Sequence, residues 1–190
     1  MNIRLNPMKF EAPKQKNYDV VIVGGAIYGA STAWFLSDNP DFNGSVLVVE
    51  RDPTYETAST THTNSCMRQQ FSTTLNVRVS QFAADFVKNF REYMGGGTDI
   101  PQLSIRNFGY MYLADNETSA NVLRESHAVQ LAAGAATQLM TSDAIKRDYP
   151  FYNVDDIVLG SHNLVDEGYW MARRCSMAGV DPRASVVSNF

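Results

Sequence analysis

The first third of the chain places short apolar runs on either side of a helical pattern. The run at residues 18–23 is continuously apolar apart from Asp19, and it predicts a strand buried on both faces of a parallel sheet. Small and apolar residues then recur at helical spacing over residues 27–37 and stop before Pro40. A second apolar run at residues 45–50 predicts another strand. Strand, helix and strand in this order predict an α/β fold with a parallel sheet.

The rest of the chain changes pattern several times. Residues 52–67 are rich in Thr and Ser and predict a long loop of the kind that carries function. Residues 73–93 return to helical spacing, and the glycines at 95–97 end that helix. Later residues predict, in order, an extended aromatic stretch at 104–114, a helix at 117–133, a helix capped at 141–143 and an extended piece at 159–170. The apolar face expected of the helix at 73–93 consists of Leu75, Val79, Phe82, Phe86, Val87 and Phe90. The apolar face expected of the helix at 117–133 consists of Val122, Val129 and Ala133.

A glycine-rich turn joins the first strand to the first helix. Against the pattern G-x-G-x-x-G the chain offers, in order, Gly24, Gly25, Ala26, Ile27, Tyr28 and Gly29. Gly24 is expected to make the tight turn and Gly29 to allow close helix–strand packing, while Ala26 replaces the second glycine of the pattern. The N-terminus of the following helix then faces a pyrophosphate. The turn therefore predicts a dinucleotide cofactor, and the alternative is a glycine turn that serves packing alone.

An acidic residue ends the second strand at the distance that such sites require. Glu50 follows Gly29 by 21 positions, and its carboxylate is expected to accept hydrogen bonds from the ribose hydroxyls. The alternative is a solvated charge at the end of a strand. Arg51 and Asp52 are expected to lie near the adenosine.

Composition narrows the class of protein further. The chain has 190 residues, 44% of them hydrophobic, and a formal charge of −4, which argues against nucleic acid as a partner. The sequence shows neither a signal peptide nor a membrane span. Cys66 and Cys175 are too far apart for a disulfide framework, and His127 and His162 have no partners at metal spacing, so we expect no metal site and a cytoplasmic location. The sequence does not determine the oligomeric state.

A second stretch is more specific than the glycine turn. Residues 50–53 read Glu-Arg-Asp-Pro, 58–60 read Ala-Ser-Thr, and 68–72 read Arg-Gln-Gln-Phe-Ser. From residue 18 to 170 the chain resembles the FAD-dependent oxidoreductases of the D-amino-acid oxidase superfamily, which includes glycine oxidase, sarcosine oxidase and dimethylglycine dehydrogenase. The resemblance implies a Rossmann-like FAD-binding domain of the GR2 type, followed by the beginning of an α+β substrate domain.

The resemblance also implies which loop residues meet the cofactor. In the family the Ser-Thr loop runs along FAD, which implies contacts from Ser59, Thr60, Asn64 and Ser65. A histidine in a Ser-Thr-x-His loop bonds covalently to the flavin in some relatives, and His62 stands in that pattern. The alternative is an ordinary polar histidine beside the cofactor.

The activity implied by the resemblance is oxidation of the C–N bond of an amine or amino acid. Hydride passes to the flavin N5 and an imine is produced, so the cofactor carries the redox step and no catalytic residue is predicted. Arg68 is expected either to pair with a substrate carboxylate or to pin its loop to the helix at 73–93. Oxidase and dehydrogenase are both compatible with the sequence. The other readings are an NAD-dependent Rossmann enzyme and a non-catalytic flavin-binding or respiratory-complex assembly protein.

The expected organisation has four parts: an N-terminal extension at 1–17, an FAD-binding part at 18–103, the start of a substrate domain at 104–170 and a divergent tail at 171–190. Members of the family are considerably longer than this chain. The resemblance therefore predicts a C-terminally truncated member, an incomplete fragment of an FAD-dependent oxidoreductase.

Overall fold

The structure is a computed structural model that describes residues 13, 15–52 and 54–170 and the backbone of residues 185–187. Its strands are β1 (Val20–Val23), β2 (Val46–Val49), β3 (Cys66–Met67), β4 (Tyr110–Ala114), β5 (Gln138–Met140), β6 (Leu159–Asn163), β7 (Gly168–Tyr169) and β8 (Ser185–Val187). Its helices are α1 (Ile27–Asp38), α2 (Ser59–His62), α3 (Thr74–Lys88), α4 (Phe90–Tyr93), α5 (Glu117–Ala132) and α6 (Ser142–Asp148). Most of the predicted extension at 1–17 and of the tail at 171–190, including Cys175, lies outside the described residues.

The chain divides into two compact units. The first contains residues up to 65, together with 98–101 and the strand β8; the second contains residues 66–97 and 102–170. The predicted boundary at residues 103 and 104 separates an FAD-binding part from the start of a substrate domain, and that assignment stays a prediction.

The first unit is a parallel sheet covered by α1. Its strand order is β1-β2-β8, and β2 pairs in parallel with both neighbours. Ala33 of α1 packs with Val46 and Val48 of β2, and apolar residues at the edge of this cluster are Val20, Ile22, Leu36 and Phe42. The predicted strand–helix–strand order and the α/β class are confirmed.

The expectation that β1 is buried on both faces is wrong. Val21 is 54% exposed and Val23 is 87% exposed, whereas Val20 and Ile22 pack against the cluster beneath α1. Side chains alternate between the faces of a strand, and α1 covers only the face of Val20 and Ile22. Continuous hydrophobicity therefore did not identify a strand covered on both sides in the described part of the chain.

The second unit is built on an antiparallel sheet of order β4-β6-β5. Helix α5 packs on this sheet through a cluster of Ala114, Ala120 and Leu159. A separate two-stranded ladder pairs Cys66 with Tyr169 and Met67 with Gly168. The cap predicted at residues 141–143 is present, because the Thr141 side chain accepts a hydrogen bond from the Ala144 N–H at 3.2 Å.

The apolar face predicted for residues 73–93 is correct at Val87 and Phe90, which are buried, and wrong at Leu75, Val79 and Phe82, which are 71%, 57% and 49% exposed. Val77 and Ala84, outside the predicted face, are buried as well. The segment is also two helices, α3 and α4, rather than one. It carries two apolar stripes, and the stripe of smaller side chains faces the interior.

Other segments differ from the prediction in smaller ways. Val122 is 56% exposed, and the buried residues of α5 are Ala120 and Gln130. The stretch at 104–114 is a strand only from Tyr110, and the loop at 52–67 contains α2 and β3. The extended piece at 159–170 is two strands, β6 and β7.

Candidate functional site

The turn between β1 and α1 requires glycine at two positions for different reasons, a positive φ at Gly24 and a lack of space at Gly29. Gly24 has φ +95°, which favours glycine, and its N–H donates to the Val49 carbonyl at 2.7 Å. A Cβ added at Gly29 would lie 1.8 Å from the Gly24 carbonyl oxygen and 3.1 Å from Ile22. This geometry agrees with the tight turn expected of Gly24 and the close helix–strand approach expected of Gly29.

Glu50 is tied to the turn rather than left as a free charge. Its Oε2 accepts a hydrogen bond from the Gly25 N–H at 2.7 Å, and its Oε1 accepts one from the Asp52 N–H at 2.8 Å. A carboxylate offers about four acceptor positions, so each oxygen can accept a further hydrogen bond. Both oxygens are therefore held in fixed positions beside the glycine turn, and a ribose contact stays a prediction.

Tyr55 was not predicted from the sequence, although it lies at the centre of this site. Its side chain is 2% exposed. A methyl group added at Gly25 would lie 2.8 Å from the Tyr55 hydroxyl, so the phenol occupies the space that any side chain at residue 25 would need. Gly25 is thus required by Tyr55, in addition to its place in the turn.

The Tyr55 hydroxyl is buried and has no hydrogen-bond partner among the residues that the structure describes. Burial raises the pKa of Tyr55 to about 12, and the charges of Glu50 and Asp52 raise the pKa further in the same direction. The phenol is therefore protonated at neutral pH and available as a donor.

The backbone of Tyr55 is fixed by its own loop. Its φ is +55°, an uncommon value for a residue other than glycine. Its N–H donates to the Asp52 carbonyl at 3.0 Å, and its carbonyl accepts from the Ala58 N–H at 3.1 Å and the Thr61 hydroxyl at 2.6 Å. The loop therefore holds the residue in this conformation, which positions the phenol beside the turn.

Of the loop residues predicted to meet the cofactor, the structure joins one to the glycine turn. Thr60 is buried, and its Oγ1 accepts a hydrogen bond from the Ile27 N–H, the first amide of α1, at 3.3 Å. Ser59, His62 and Asn64 are exposed, and Ser65 has φ +52°. Tyr28 and Arg51 are exposed as well.

The donors and acceptors of this site suit the ADP half of a dinucleotide. The N-terminus of α1 carries backbone N–H groups and a positive end of the helix dipole, both favourable for a pyrophosphate. The glycine turn leaves space for a close approach, while Glu50 offers acceptors and Tyr55 a donor. An orphaned hydroxyl beside an open turn is what a site for a polar ligand is expected to show.

In the second unit, the segment that reads Arg-Gln-Gln-Phe-Ser is anchored by a buried acid that sequence analysis missed. Glu167 is fully buried, and its carboxylate accepts from the Gln69 N–H at 2.6 Å and from the Gln70 and Asn163 side-chain amides at 2.9 and 3.0 Å. Burial raises the pKa of Glu167, and these donors and Arg68 lower it in part. The Ser161 hydroxyl donates to the Gln70 amide oxygen at 2.8 Å.

Arg68 itself is exposed, and its guanidinium carbon lies 5.3 Å from the centroid of the Phe71 ring. The Phe71 carbonyl accepts a hydrogen bond from the buried Gln130 of α5 at 3.2 Å. Gln69 and Gln70, the two residues after Arg68, are thus held by hydrogen bonds to the buried Glu167, while the Arg68 guanidinium lies on the surface. Either of the roles expected of Arg68 stays a prediction.

Within the ranges described, no group of three or more His, Cys, Asp or Glu side chains is arranged to hold a metal ion. None of the helices found there is long and apolar enough to cross a bilayer.

The parallel βαβ unit, the glycine turn and the carboxylate after β2 define a nucleotide-binding α/β protein. A family model described as FAD dependent oxidoreductase matches residues 19–180. The chain belongs to this family, named DAO. The cofactor of the family is FAD, and the resemblance seen in the sequence is confirmed.

Individual proteins support the same assignment. The chain is 39% identical over 155 residues to FAD-dependent oxidoreductase domain-containing protein 1 of Xenopus laevis. The aligned region covers 80% of this chain and 31% of that protein. The fold is similar to that of L-proline dehydrogenase from P. horikoshii, with a TM-score of 0.69 and 23% identity over 89% of this chain and 43% of the other. For glycine oxidase from Bacillus cereus the TM-score is 0.62 with 18% identity, over 90% and 46% of the two chains.

The chain therefore spans about a third of the curated relative it matches, and less than half of either solved structure.

Proposed function

We propose that this protein uses FAD to oxidise the carbon–nitrogen bond of a small amine or amino acid, with an imine as the product. The observation that carries the proposal is the glycine turn braced by Glu50 in a chain of the FAD-dependent family. The names of two proteins with a similar fold, L-proline dehydrogenase and glycine oxidase, refer to amino-acid substrates and favour this substrate class.

The residues divide the work between binding and positioning. The turn at 24–29, Glu50 and Arg51 would hold the ADP half of the cofactor, and Ser59, Thr60, Asn64 and Ser65 would contact it along the following loop. When bound, FAD accepts the hydride that leaves the substrate carbon. The imine then reacts with water to give a carbonyl compound and an amine or ammonia.

Arg68 would orient an amino-acid substrate. Its guanidinium is exposed, and its neighbours Gln69 and Gln70 are fixed by the buried Glu167. A guanidinium matches a carboxylate with two parallel hydrogen bonds. If Arg68 has this role, amino acids will reduce the cofactor faster than the amines that lack the carboxylate.

The proposal is tested with the purified 190-residue chain. FAD is titrated in and followed by its absorbance, and the loaded protein is then mixed without oxygen with a panel of amino acids and amines. We expect a bound flavin spectrum that bleaches with at least one member of the panel. Glu50→Gln should weaken FAD binding, whereas Glu56→Gln, an exposed acid in the same unit, should not.

The results separate the competing functions. Binding of NAD in preference to FAD would contradict the proposal. A bound flavin that no amine or amino acid reduces would favour a non-catalytic flavin-binding or assembly role instead.

We further propose that His62 can bond covalently to FAD. An imidazole nitrogen would bond to the carbon of the flavin 8α-methyl group, the methyl C–H and imidazole N–H protons would be lost, and the flavin would take up the electron pair and be reoxidised by oxygen. His62 is exposed at the last position of α2, and its backbone N–H donates to the Ala58 carbonyl at 3.3 Å. Acid precipitation of the FAD-loaded chain should leave yellow colour in the pellet, and His62→Ala should release it. Complete release from the unmodified chain would contradict a covalent bond.

A further inference from the structure

The Tyr55 hydroxyl is buried at an energetic cost that no described residue offsets with a hydrogen bond. A buried hydroxyl without a partner destabilises a protein by about 1–3 kcal/mol relative to one that is hydrogen-bonded. The Tyr55 side chain is 2% exposed, and its hydroxyl is unpartnered throughout the described ranges. Such a group in a folded protein calls for an explanation, and a ligand that supplies the missing acceptor is one.

The position of the hydroxyl indicates where that acceptor would come from. The oxygen lies 2.8 Å from the position of a Cβ at Gly25, and the same position is 3.5 Å from the Cβ of Glu50. Gly25 is two residues before α1, a helix of twelve residues whose N-terminus favours anions. A buried polar group is therefore aimed into the turn that precedes the helix.

The loop keeps the phenol there at a conformational cost. The φ of +55° is held by three hydrogen bonds, to Asp52, Ala58 and Thr61. Strained backbone of this kind is concentrated at functional sites. The neighbouring Glu50 does not satisfy the hydroxyl, since the hydrogen bonds its oxygens accept come from the backbone of Gly25 and Asp52.

We propose that the Tyr55 hydroxyl donates a hydrogen bond to a phosphate or ribose oxygen of the ADP half of FAD. This proposal rests on the proposed function in so far as it requires FAD to bind. A side chain outside the glycine motif would then supply a hydrogen-bond donor in addition to the backbone N–H groups of α1. Gly25 and Tyr55 would act together, because the absence of a side chain at Gly25 makes room for the Tyr55 hydroxyl.

The test compares Tyr55→Phe with the unmodified chain by calorimetric titration of FAD, ADP, adenosine and FMN. Loss of one hydrogen bond should weaken FAD and ADP binding by about 5- to 10-fold, and any binding of FMN should be unchanged. If adenosine binding weakens as well, the contact is to the ribose; if only ADP and FAD weaken, it is to a phosphate. The control is Tyr18→Phe, whose hydroxyl accepts a hydrogen bond from the Gln15 N–H in the same unit.

Thermal unfolding of the ligand-free proteins separates a ligand contact from a structural role. Tyr55→Phe removes an unsatisfied hydroxyl, so we expect its unfolding temperature to be equal to that of the unmodified chain or higher. A lower unfolding temperature, or unchanged ADP affinity, would overturn the proposal for Tyr55. An unmodified chain that binds neither FAD nor ADP would overturn both proposals, while one that binds FAD without being reduced would overturn only the proposed reaction.

Discussion

The glycine turn of the first unit and the segment around Gln69 and Gln70 in the second unit are each held by an acidic side chain, but in opposite ways. The glycine turn of the first unit depends on backbone groups and on absent side chains, and it is braced by an acid 25 positions away. The segment around Gln69 and Gln70 in the second unit depends on buried polar side chains, and its acid is 98 positions away. The spacing between the glycine turn and its acid can be recognised in the sequence, whereas nothing in the sequence indicates that Gln69 and Gln70 contact Glu167.

The difference also concerns what each acid does. Glu50 is half-buried, and among the described residues it accepts hydrogen bonds from the backbone N–H groups of Gly25 and Asp52. Glu167 is fully buried and accepts from one backbone N–H and two side-chain amides. Glu50 therefore retains acceptor capacity for a ligand, whereas Glu167 is an internal support.

The largest expected effect tests whether absent side chains define the first site. Gly29→Ala places a methyl group against the Gly24 carbonyl, so we expect a loss of about 3 kcal/mol or more in the free energy of unfolding. Urea unfolding followed by far-UV circular dichroism measures it. Gly24→Ala is the matched control: its methyl group meets nothing within 4 Å, and only the φ of +95° opposes it, at about 1–2 kcal/mol. The reverse order of these two losses would contradict the prediction.

The next effect tests the buried support of the second unit. Glu167→Gln turns one acceptor atom into a donor that faces other donors, so we expect a loss of about 1–3 kcal/mol in the free energy of unfolding. The exposed Glu125→Gln, in the same unit, should change it by less than about 0.5 kcal/mol.

The pH dependence of stability gives Glu167 a second readout. Because burial raises its pKa above the ordinary value of 4.5, the folded protein binds more protons than the unfolded one just above that pH. The contribution of Glu167 to stability therefore decreases as the pH rises from about 4.5 toward its folded pKa. Urea unfolding across this interval should show the slope in the unmodified chain and a smaller one in Glu167→Gln. Equal slopes would contradict the assignment.

A double-mutant cycle tests whether Gly25 and Tyr55 are energetically coupled. Gly25→Ala should destabilise the chain because its methyl group would meet the Tyr55 hydroxyl at 2.8 Å. In the Tyr55→Phe background the penalty should fall, with a coupling of about 1 kcal/mol in the free energy of unfolding. Additive effects of the two substitutions would show that the contact does not restrict residue 25.

The smallest effect concerns the hydrogen bond from Ile27 to Thr60. Thr60→Val keeps the shape of the buried side chain and removes the oxygen that accepts from the Ile27 N–H at 3.3 Å. Because this bond is long, we expect a loss of about 0.5 kcal/mol in the free energy of unfolding, at the low end for a helix cap. Thr57→Val, at an exposed position of the same loop, is the control. An equal loss in both variants would mean that the cap contributes nothing.

Sequence reasoning succeeded where the physics is local. The run before Gly24, the turn itself and Glu50 lie within about one βαβ unit, whose spacing follows from helix and strand lengths. Both the parallel pairing of β1 with β2 and the helix between them follow from that spacing. The family resemblance rested on short segments as well, at residues 50–53, 58–60 and 68–72.

Reasoning from the sequence failed where packing between distant segments decides. Tyr55 carries no signal, because neither its positive φ nor the place of its hydroxyl can be read from a Thr-rich loop. Glu167 looks like a surface acid in the sequence, and its partners are almost a hundred positions away. For α3, apolar residues form two stripes, and only tertiary packing selects Val77 and Ala84 over Leu75 and Val79.

The hydrogen bond between Gln69 and Glu167 has a consequence for synthesis of the chain on the ribosome. The 98 positions between these residues take about 5–20 s to translate at 5–20 residues per second. The Gly25–Glu50 contact, spanning 25 positions, can close in about a quarter of that time. During the interval both residues of the Gly25–Glu50 contact have been synthesised, whereas Gln69 still lacks Glu167, so the contact at the glycine turn can form before the one that holds Gln69.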